Sequence, residues 1–223
     1  MNKKIKIAPS VLSADFSRMG EEIDKVAEAG ADLIHLDVMD GHFAPNLTIG
    51  PQFVKSIRGY TNLPFDVHLM ITHPQNYIDV FADAGADFIT FHIEVDGPIQ
   101  KVIDQIKKHG IKAGIALRPK TSISAVEPYL ADLDLVLPMS VEPGFSGQSF
   151  MMNTLEKLDQ LQKLIDVVEG DIEIEVDGGI TLETARLVGC RGTTILVAGT
   201  AVFGSDNLQH AIRGLRDAAL SNA

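Results

Sequence analysis

His35 and Asp37 stand two residues apart at the end of one short apolar run, and Asp177 precedes Gly178-Gly179 at the end of another. An ionised carboxylate in apolar surroundings is expensive unless it is paired, hydrogen-bonded or bound to a metal. His68 stands near the end of a third such run. Brought together, these two imidazoles and two carboxylates make a site for one divalent cation. The mixed nitrogen and oxygen set suits zinc, manganese, iron(II) or cobalt better than magnesium or calcium. Taken singly, each residue reads better as a satisfied core histidine or a loop-capping aspartate. It is their convergence that points to chemistry.

Three glycine-bearing segments suggest a second function. Pro143-Gly144-Phe145-Ser146-Gly147-Gln148, Asp177-Gly178-Gly179 and Ala198-Gly199-Thr200 follow successive apolar runs. Glycine lets backbone N–H groups approach a ligand closely, and none of the three carries the GK[ST] of a nucleotide loop. They read as a backbone cradle for a monophosphate. Met39, Met70 and Met139 stand at or just past the ends of three runs. They read equally as gap-filling core or as a soft, aprotic floor that keeps water from a reactive intermediate.

A phosphorylated substrate, one divalent metal and two opposed carboxylates suit proton removal next to a carbonyl, where the cation neutralises an enediolate. One aspartate takes a proton from one face of the carbon and the other delivers a proton to the opposite face. The centre is inverted, and one carboxyl must begin protonated, with a raised pKa. A Schiff-base aldolase needs a lysine at a strand end, and hydride transfer needs a G-x-G-x-x-G turn; neither is present. A glycosidase usually needs two carboxylates but no metal.

Such a site needs a scaffold that carries distant residues to one end. Eight apolar runs, at 5–8, 33–38, 65–70, 88–91, 113–117, 135–139, 172–176 and 194–198, alternate with amphipathic stretches. Phe16, Met19, Ile23, Val26 and Gly30 recur at helical spacing behind Asp15, a candidate N-cap. Leu155, Leu158, Gln162, Ile165 and Val168 repeat the pattern, and Leu208, Ile212 and Leu215 give the last helix its stripe. Ala29-Gly30-Ala31-Asp32 recurs as Ala84-Gly85-Ala86-Asp87, with glycine at a helix C-cap in both copies. Eight βα units and no linker predict a single (β/α)8 TIM barrel as one domain over residues 1–223. An open doubly wound sheet would put a glycine-rich turn after the first strand, where Pro9-Ser10-Val11-Leu12-Ser13 has none. Barrel sites lie at the C-terminal strand ends. Alternation puts His35 and Asp37 on one face, the third strand adjoins the second, and the seventh lies nearly across the mouth.

The 223 residues suffice for a large core, and the hydrophobic fraction of 45% is ordinary for a globular chain. A formal net charge of -11 argues against nucleic acid or an anionic membrane as partner. Cys190 is the only cysteine, so no internal disulfide forms. Met1-Asn2-Lys3-Lys4 is not followed by an apolar signal segment, no long apolar stretch could span a membrane, and a reducing, cytoplasmic location is expected.

At these residues the sequence closely resembles the ribulose-phosphate 3-epimerase family of the ribulose-phosphate-binding barrel group, almost end to end. The segments that carry the resemblance run from Ala8 to Phe16, from His35 to Phe43, through Pro45-Asn46, Asp66 to Met70, Val141 to Gln148, Val176 to Gly179 and Val197 to Gly199. The resemblance implies a divalent metal held by His35, Asp37, His68 and Asp177, with Asp37 and Asp177 as the acid/base pair. It implies a phosphate held by the backbone from Gly144 to Gly147, at Gly178-Gly179 and at Gly199-Thr200, with Ser10 and His68 also touching substrate. The implied reaction interconverts D-ribulose 5-phosphate and D-xylulose 5-phosphate, a step of the pentose phosphate pathway. The nearest alternative substrate is a six-carbon ketose phosphate such as D-allulose 6-phosphate. A lyase of the same barrel group would carry a lysine near Asp66, and a non-catalytic phosphate-binding barrel would lack one of the aspartates; neither description fits. Barrels of this group usually form homo-oligomers, which is expected here.

Several positions depart from the family pattern. Arg118 replaces a common asparagine, Glu142 stands for asparagine or aspartate, and Ser146 and Thr200 replace glycine and serine. Ser146 is harmless if the loop acts through its backbone and φ there is negative. Arg118 and Glu142 follow adjacent strands and are candidates for a rim ion pair. Pro138 should cost the sixth strand a ladder bond. His92 and Glu94 form an H-x-E pair, read as a hydrogen-bonded shell behind the metal rather than a second metal site. His42, His73, His109 and His210 are expected in loops or on the surface.

Overall fold

The structure is a computed structural model and describes residues 4–168 and 170–221. Eight parallel strands form the ring: β1 (Lys6–Pro9), β2 (Ile34–Met39), β3 (Phe65–Met70), β4 (Phe88–His92), β5 (Lys112–Leu117), β6 (Leu135–Pro138), β7 (Glu173–Asp177) and β8 (Ile195–Ala198). Their order, β1-β8-β7-β6-β5-β4-β3-β2, is that of a (β/α)8 TIM barrel, with β1 and β2 joined by a bridge from Ser10 to His35. Every strand starts and ends within one residue of its predicted run. Outside the ring lie α1 (Met19–Glu28), α2 (Pro51–Ile57), α3 (Ile78–Asp83), α4 (Ile99–Lys108), α5 (Thr154–Ile165), α6 (Leu182–Gly189), α7 (Thr200–Phe203) and α8 (Leu208–Leu220). Between β5 and β6 two 3₁₀ segments, Ile123–Ala125 and Glu127–Asp132, replace an α-helix. Asp15 caps a 3₁₀ turn over Phe16–Arg18, so α1 proper begins at Met19, later than the apolar pattern suggests. No helix among the described residues is long and apolar enough to cross a membrane.

The pleat sorts each strand into two environments. Ile34, Leu36 and Val38 of β2, and Val67 and Leu69 of β3, pack outward with Ile23, Val54 and Ile78 of the helices in one large core. The alternate residues face inward. From β5, β6 and β8 these are apolar: Ala116, Leu135, Leu137, Ile195 and Val197 form an inner cluster. From β2, β3, β4 and β7 they are polar: His35, Asp66, His68, Thr90, His92 and Glu175 are all fully buried. Apolar and polar side chains therefore share the barrel interior, with Glu175 of β7 standing between the apolar strands β6 and β8.

Pro138 interrupts the ladder as the sequence suggests. The β6–β7 register runs over Leu135–Glu173 and Val136–Ile174, breaks at Pro138, which has no N–H to give, and resumes where Ser140 N donates to the Asp177 carbonyl at 2.8 Å.

At the opposite end of the barrel one device recurs. Asp32 Oδ2 accepts from Ile7 N at 3.0 Å, Asp87 Oδ2 from Phe65 N at 2.8 Å, and Asp134 Oδ2 from Ala113 N at 2.9 Å. The backbone N–H of each of these aspartates donates back to the carbonyl of the same partner. Thr194 repeats the exchange with Ile174 through its hydroxyl, at 3.0 Å. A residue one or two positions before each even-numbered strand thus clamps the odd-numbered strand before it. Gly30 and Gly85, at φ 93° and 102°, turn the chain out of the helix into two of these clamps.

Lys6 and Glu173, the first residues of β1 and β7, form an ion pair at this end. Burial opposes the charge on Glu173, but the ammonium of Lys6 and the Thr194 hydroxyl outweigh it and hold the carboxyl below its usual range. A lowered folded pKa contributes stability above the unfolded value, and that stability is lost as pH falls through the folded one. Lys6→Met is therefore expected to cost about 0.5–1 kcal/mol near neutral pH, with the deficit shrinking as the solution is acidified past the ordinary glutamate range. Urea unfolding in neutral and in strongly acidic buffer checks this; an equal deficit in both would refute the pairing.

Candidate active site

The inward parity of β2, β3 and β7 brings the sequence-nominated residues together. One ligand atom from each of His35, Asp37, His68 and Asp177 lies within 4.8 Å of the others. His35 Nε2 sits 3.4 Å from Asp37 Oδ1, and His68 Nδ1 lies 3.6 Å from the same oxygen. Both nitrogens are buried without a hydrogen-bond partner. An unpartnered buried ring nitrogen is costly, and here two of them face a cage that also holds two carboxylates. This donor set fits a divalent cation. A second acidic group, His35 with Asp66 and Glu175, lies next to it. His92 and Glu94 join neither group, so among the described residues they make no second metal site.

The surroundings drive the two aspartates in opposite directions. Burial raises Asp177, and the neighbouring charge of Asp37 raises it further, to about 6. Burial opposes the charge on Asp37 too, but His35 and His68 dominate and hold it far below the usual carboxylate range. Burial also works against a proton on His35, yet the carboxylates of Asp37 and Asp66 hold its pKa well above normal. Two carboxyls kept apart in this way can serve as one acid and one base. Ser10 Oγ donates to Asp37 Oδ2 at 2.5 Å and fixes the rotation of that carboxylate.

The mouth opens into a cleft at the C-terminal ends of the strands. Asp37, Asp177 and Ser10 line it, as do Met39, Met70 and Met139. It is also lined by Gly144, Phe145, Ser146 and Gly147 after β6, by Gly178 and Gly179 after β7, and by Gly199 and Thr200 opening α7. All three glycine-bearing segments therefore reach one cleft. Gly178 and Gly179 have φ of 117° and 61°, and a Cβ on Gly179 would lie 2.5 Å from Phe150 N. Ser146 has negative φ, so its side chain does not strain the loop. His35 and His68 are fully buried and leave the cleft surface to the carboxylates.

The Arg118–Glu142 pair does not form among the described residues. Arg118 instead stacks its guanidinium 4.1 Å from the Phe43 ring centroid and donates from Nη2 to the Phe43 carbonyl at 2.5 Å. An aromatic face with a carbonyl beside it satisfies a guanidinium at least as well as an exposed carboxylate does. His42, His73, His109 and His210 are exposed, as expected. Three buried groups were not anticipated. Asp66 Oδ2 accepts from His35 Nδ1 at 2.6 Å, Glu175 lies 3.4 Å from that nitrogen, and the Ser13 hydroxyl is buried in the cleft wall without a partner. Asp66 and Glu175 stand two residues before His68 and Asp177, so strand parity alone could have placed them inside the barrel. Burial and the charge of Asp66 push Glu175 well above the usual carboxyl range.

A family model described as the ribulose-phosphate 3-epimerase family matches residues 6–203. The ribulose-phosphate 3-epimerase of Bacillus subtilis (strain 168) is 49% identical over 213 residues, which is 95% of this chain and 98% of that protein. That of Escherichia coli (strain K12) is 44% identical over 215 residues, 96% of each chain. Among solved structures, 3-hexulose-6-phosphate synthase from Salmonella typhimurium superposes with a TM-score of 0.71 at 18% identity, over 97% of this chain and 99% of that one. KGPDC from Streptococcus mutans does so with a TM-score of 0.72 at 14% identity, over 97% of each. At such identities the structural likeness carries the barrel fold and nothing more.

Proposed function

The chain belongs to the ribulose-phosphate 3-epimerase family, and on that premise we propose that it is an isomerase inverting C3 between D-ribulose 5-phosphate and D-xylulose 5-phosphate. The observation that carries this reading is the pair of aspartates from β2 and β7, both facing one cleft and both within ligand reach of two orphaned imidazole nitrogens. Asp37 takes the C3 proton from one face of the carbon, and Asp177 delivers a proton to the other face. In the reverse direction the roles exchange. Ser10 holds the Asp37 carboxylate in register through its hydrogen bond.

His35, Asp37, His68 and Asp177 would hold one divalent cation, taken from zinc, iron(II), manganese or cobalt. Bound there, it supplies electrophilic stabilisation of negative charge on the substrate oxygens. The phosphate lies against the backbone of Gly144 to Gly147, Gly178-Gly179 and Gly199-Thr200. Phosphate sites after strands seven and eight, beside a short extra helix, are common in this fold. Anchoring the phosphate there sets which carbon lies between the aspartates. Met39, Met70 and Met139 line the cleft with soft apolar surface, which keeps solvent from protonating the enediolate. The described residues are read as one domain, in keeping with the single barrel expected of the chain.

Proton NMR in deuterium oxide tests the reading. Deuterium should enter at C3 of ribulose 5-phosphate as xylulose 5-phosphate appears. Absence of exchange with zinc-, manganese-, iron(II)- or cobalt-loaded protein would reject it, and faster turnover of allulose 6-phosphate would reassign the substrate.

A further inference from the structure

Behind the proposed metal cage, one chain of hydrogen bonds runs outward from His68. His68 Nε2 lies 3.0 Å from His92 Nε2, and His92 Nδ1 lies 3.0 Å from Glu94 Oε2. The other oxygen of Glu94 accepts from Arg118 N at 2.8 Å and from the Thr121 hydroxyl. Lys157 Nζ ties down the same loop by donating to the carbonyls of Arg118 at 2.9 Å and Thr121 at 2.5 Å. His68 and His92 are fully buried, and their rings stack with centroids 5.0 Å apart. The Phe43 ring, under the Arg118 guanidinium, covers the far side of His92 at 4.7 Å.

The polarity of this chain is determined from its outer end. A carboxylate only accepts, so His92 Nδ1 must donate to Glu94. A neutral imidazole with its proton on Nδ1 has only a lone pair on Nε2. His68 Nε2 must then donate to His92. A neutral ring with its proton on Nε2 carries a lone pair on Nδ1, and that is the buried, partnerless atom of His68 facing Asp37. Reversing any link would put a proton on His68 Nδ1, where a cation would have to sit.

We propose that Glu94 and His92 are positioning residues that lock His68 in the Nε2–H tautomer and aim its Nδ1 lone pair into the cage. The role rests on the metal reading given above. Partners of this kind typically change metal affinity by about 10–100-fold when removed. Glu94→Gln is the sharper variant. Its amide N–H₂ can donate to His92 Nδ1, which would reverse the tautomers of both rings, whereas Glu94→Asp keeps an acceptor.

The test uses ¹⁵N-histidine-labelled protein and cobalt(II) titration. In the wild type, long-range ¹H–¹⁵N correlation should show His92 protonated at Nδ1. Glu94→Gln should bind cobalt(II) at least about tenfold more weakly at an unchanged thermal midpoint, with Glu94→Asp in between. His92 protonated at Nε2 in the wild type would overturn the relay, as would equal cobalt(II) affinity in Glu94→Gln. Failure of the wild type to bind cobalt(II) at all would strike the metal reading, and the His92 tautomer would still decide the relay.

Discussion

Asp177→Asn is expected to slow C3 inversion by at least about 10³-fold, at the upper part of the ~10²–10⁴ range for a positioned acid or base, while the barrel stays folded. The amide keeps the shape of the side chain but can neither take nor deliver the proton. Asp37 remains, so one of the two epimers should still exchange its C3 hydrogen with deuterium oxide without becoming the other. Asp37→Asn should show the mirror result, with exchange confined to the opposite epimer. This pairing of lost inversion with one-sided exchange is specific to two acids on opposite faces. A single shuttling base would lose exchange and inversion together. Inversion within tenfold of the wild type in either variant would reject the assignment. Because Asp177 sits beside the charge of Asp37, neutralising it relieves a repulsion, and the thermal midpoint should not fall.

Gly179→Ala should raise KM for the phosphorylated substrate by at least about tenfold and destabilise the fold by roughly 1–3 kcal/mol. The added Cβ would lie 2.5 Å from Phe150 N, 2.8 Å from Phe150 Cα and 3.0 Å from the Gln148 carbonyl. These are backbone atoms, so no side chain can swing aside, and φ of 61° adds strain of its own. The loop from Gly144 to Phe150 must move, and with it the proposed phosphate cradle. Gly110→Ala, away from the cradle, is the internal control. Its φ is 71°, but an added Cβ meets nothing within 4 Å. It should show the conformational cost, about 1–2 kcal/mol, with a much smaller change in KM. Equal effects on KM in the two variants, measured by steady-state kinetics, would show that displacement of the loop is not what matters.

The strands and the convergence of His35, Asp37, His68 and Asp177 were legible in the sequence because both depend on a period of two. A buried parallel strand is a continuous apolar run, and an inward polar residue interrupts it at a fixed parity. That same parity marks Asp66 and Glu175, which went unread because they lie inside their runs rather than at the ends, where chemistry is usually sought. The glycine segments were legible because a backbone cradle leaves a composition signal. What the sequence does not carry is side-chain direction at the rim. Arg118 and Glu142 follow neighbouring strands, yet Arg118 turns to Phe43, which lies 75 positions away in the chain. A long side chain can satisfy its charge on many partners, and only packing selects one. The ladder gap at Pro138, by contrast, was legible, because a proline has no N–H to donate.

The four clamps at the closed end also bear on how the chain acquires its shape. Asp32 to Ile7, Asp87 to Phe65, Asp134 to Ala113 and Thr194 to Ile174 span 25, 22, 21 and 20 positions. Each closes a short loop within one pair of consecutive strands, and short loops cost little entropy to close. Parallel barrels are otherwise slow to assemble, because their pairings are distant in sequence. Here every odd strand can find its even successor before the ring exists. The barrel then forms from four prepaired quarters, and the seam between β8 and β1, continued where Ser10 N donates to the Ala198 carbonyl, brings the last quarter against the first and sets Ser10 beside the opening of α7.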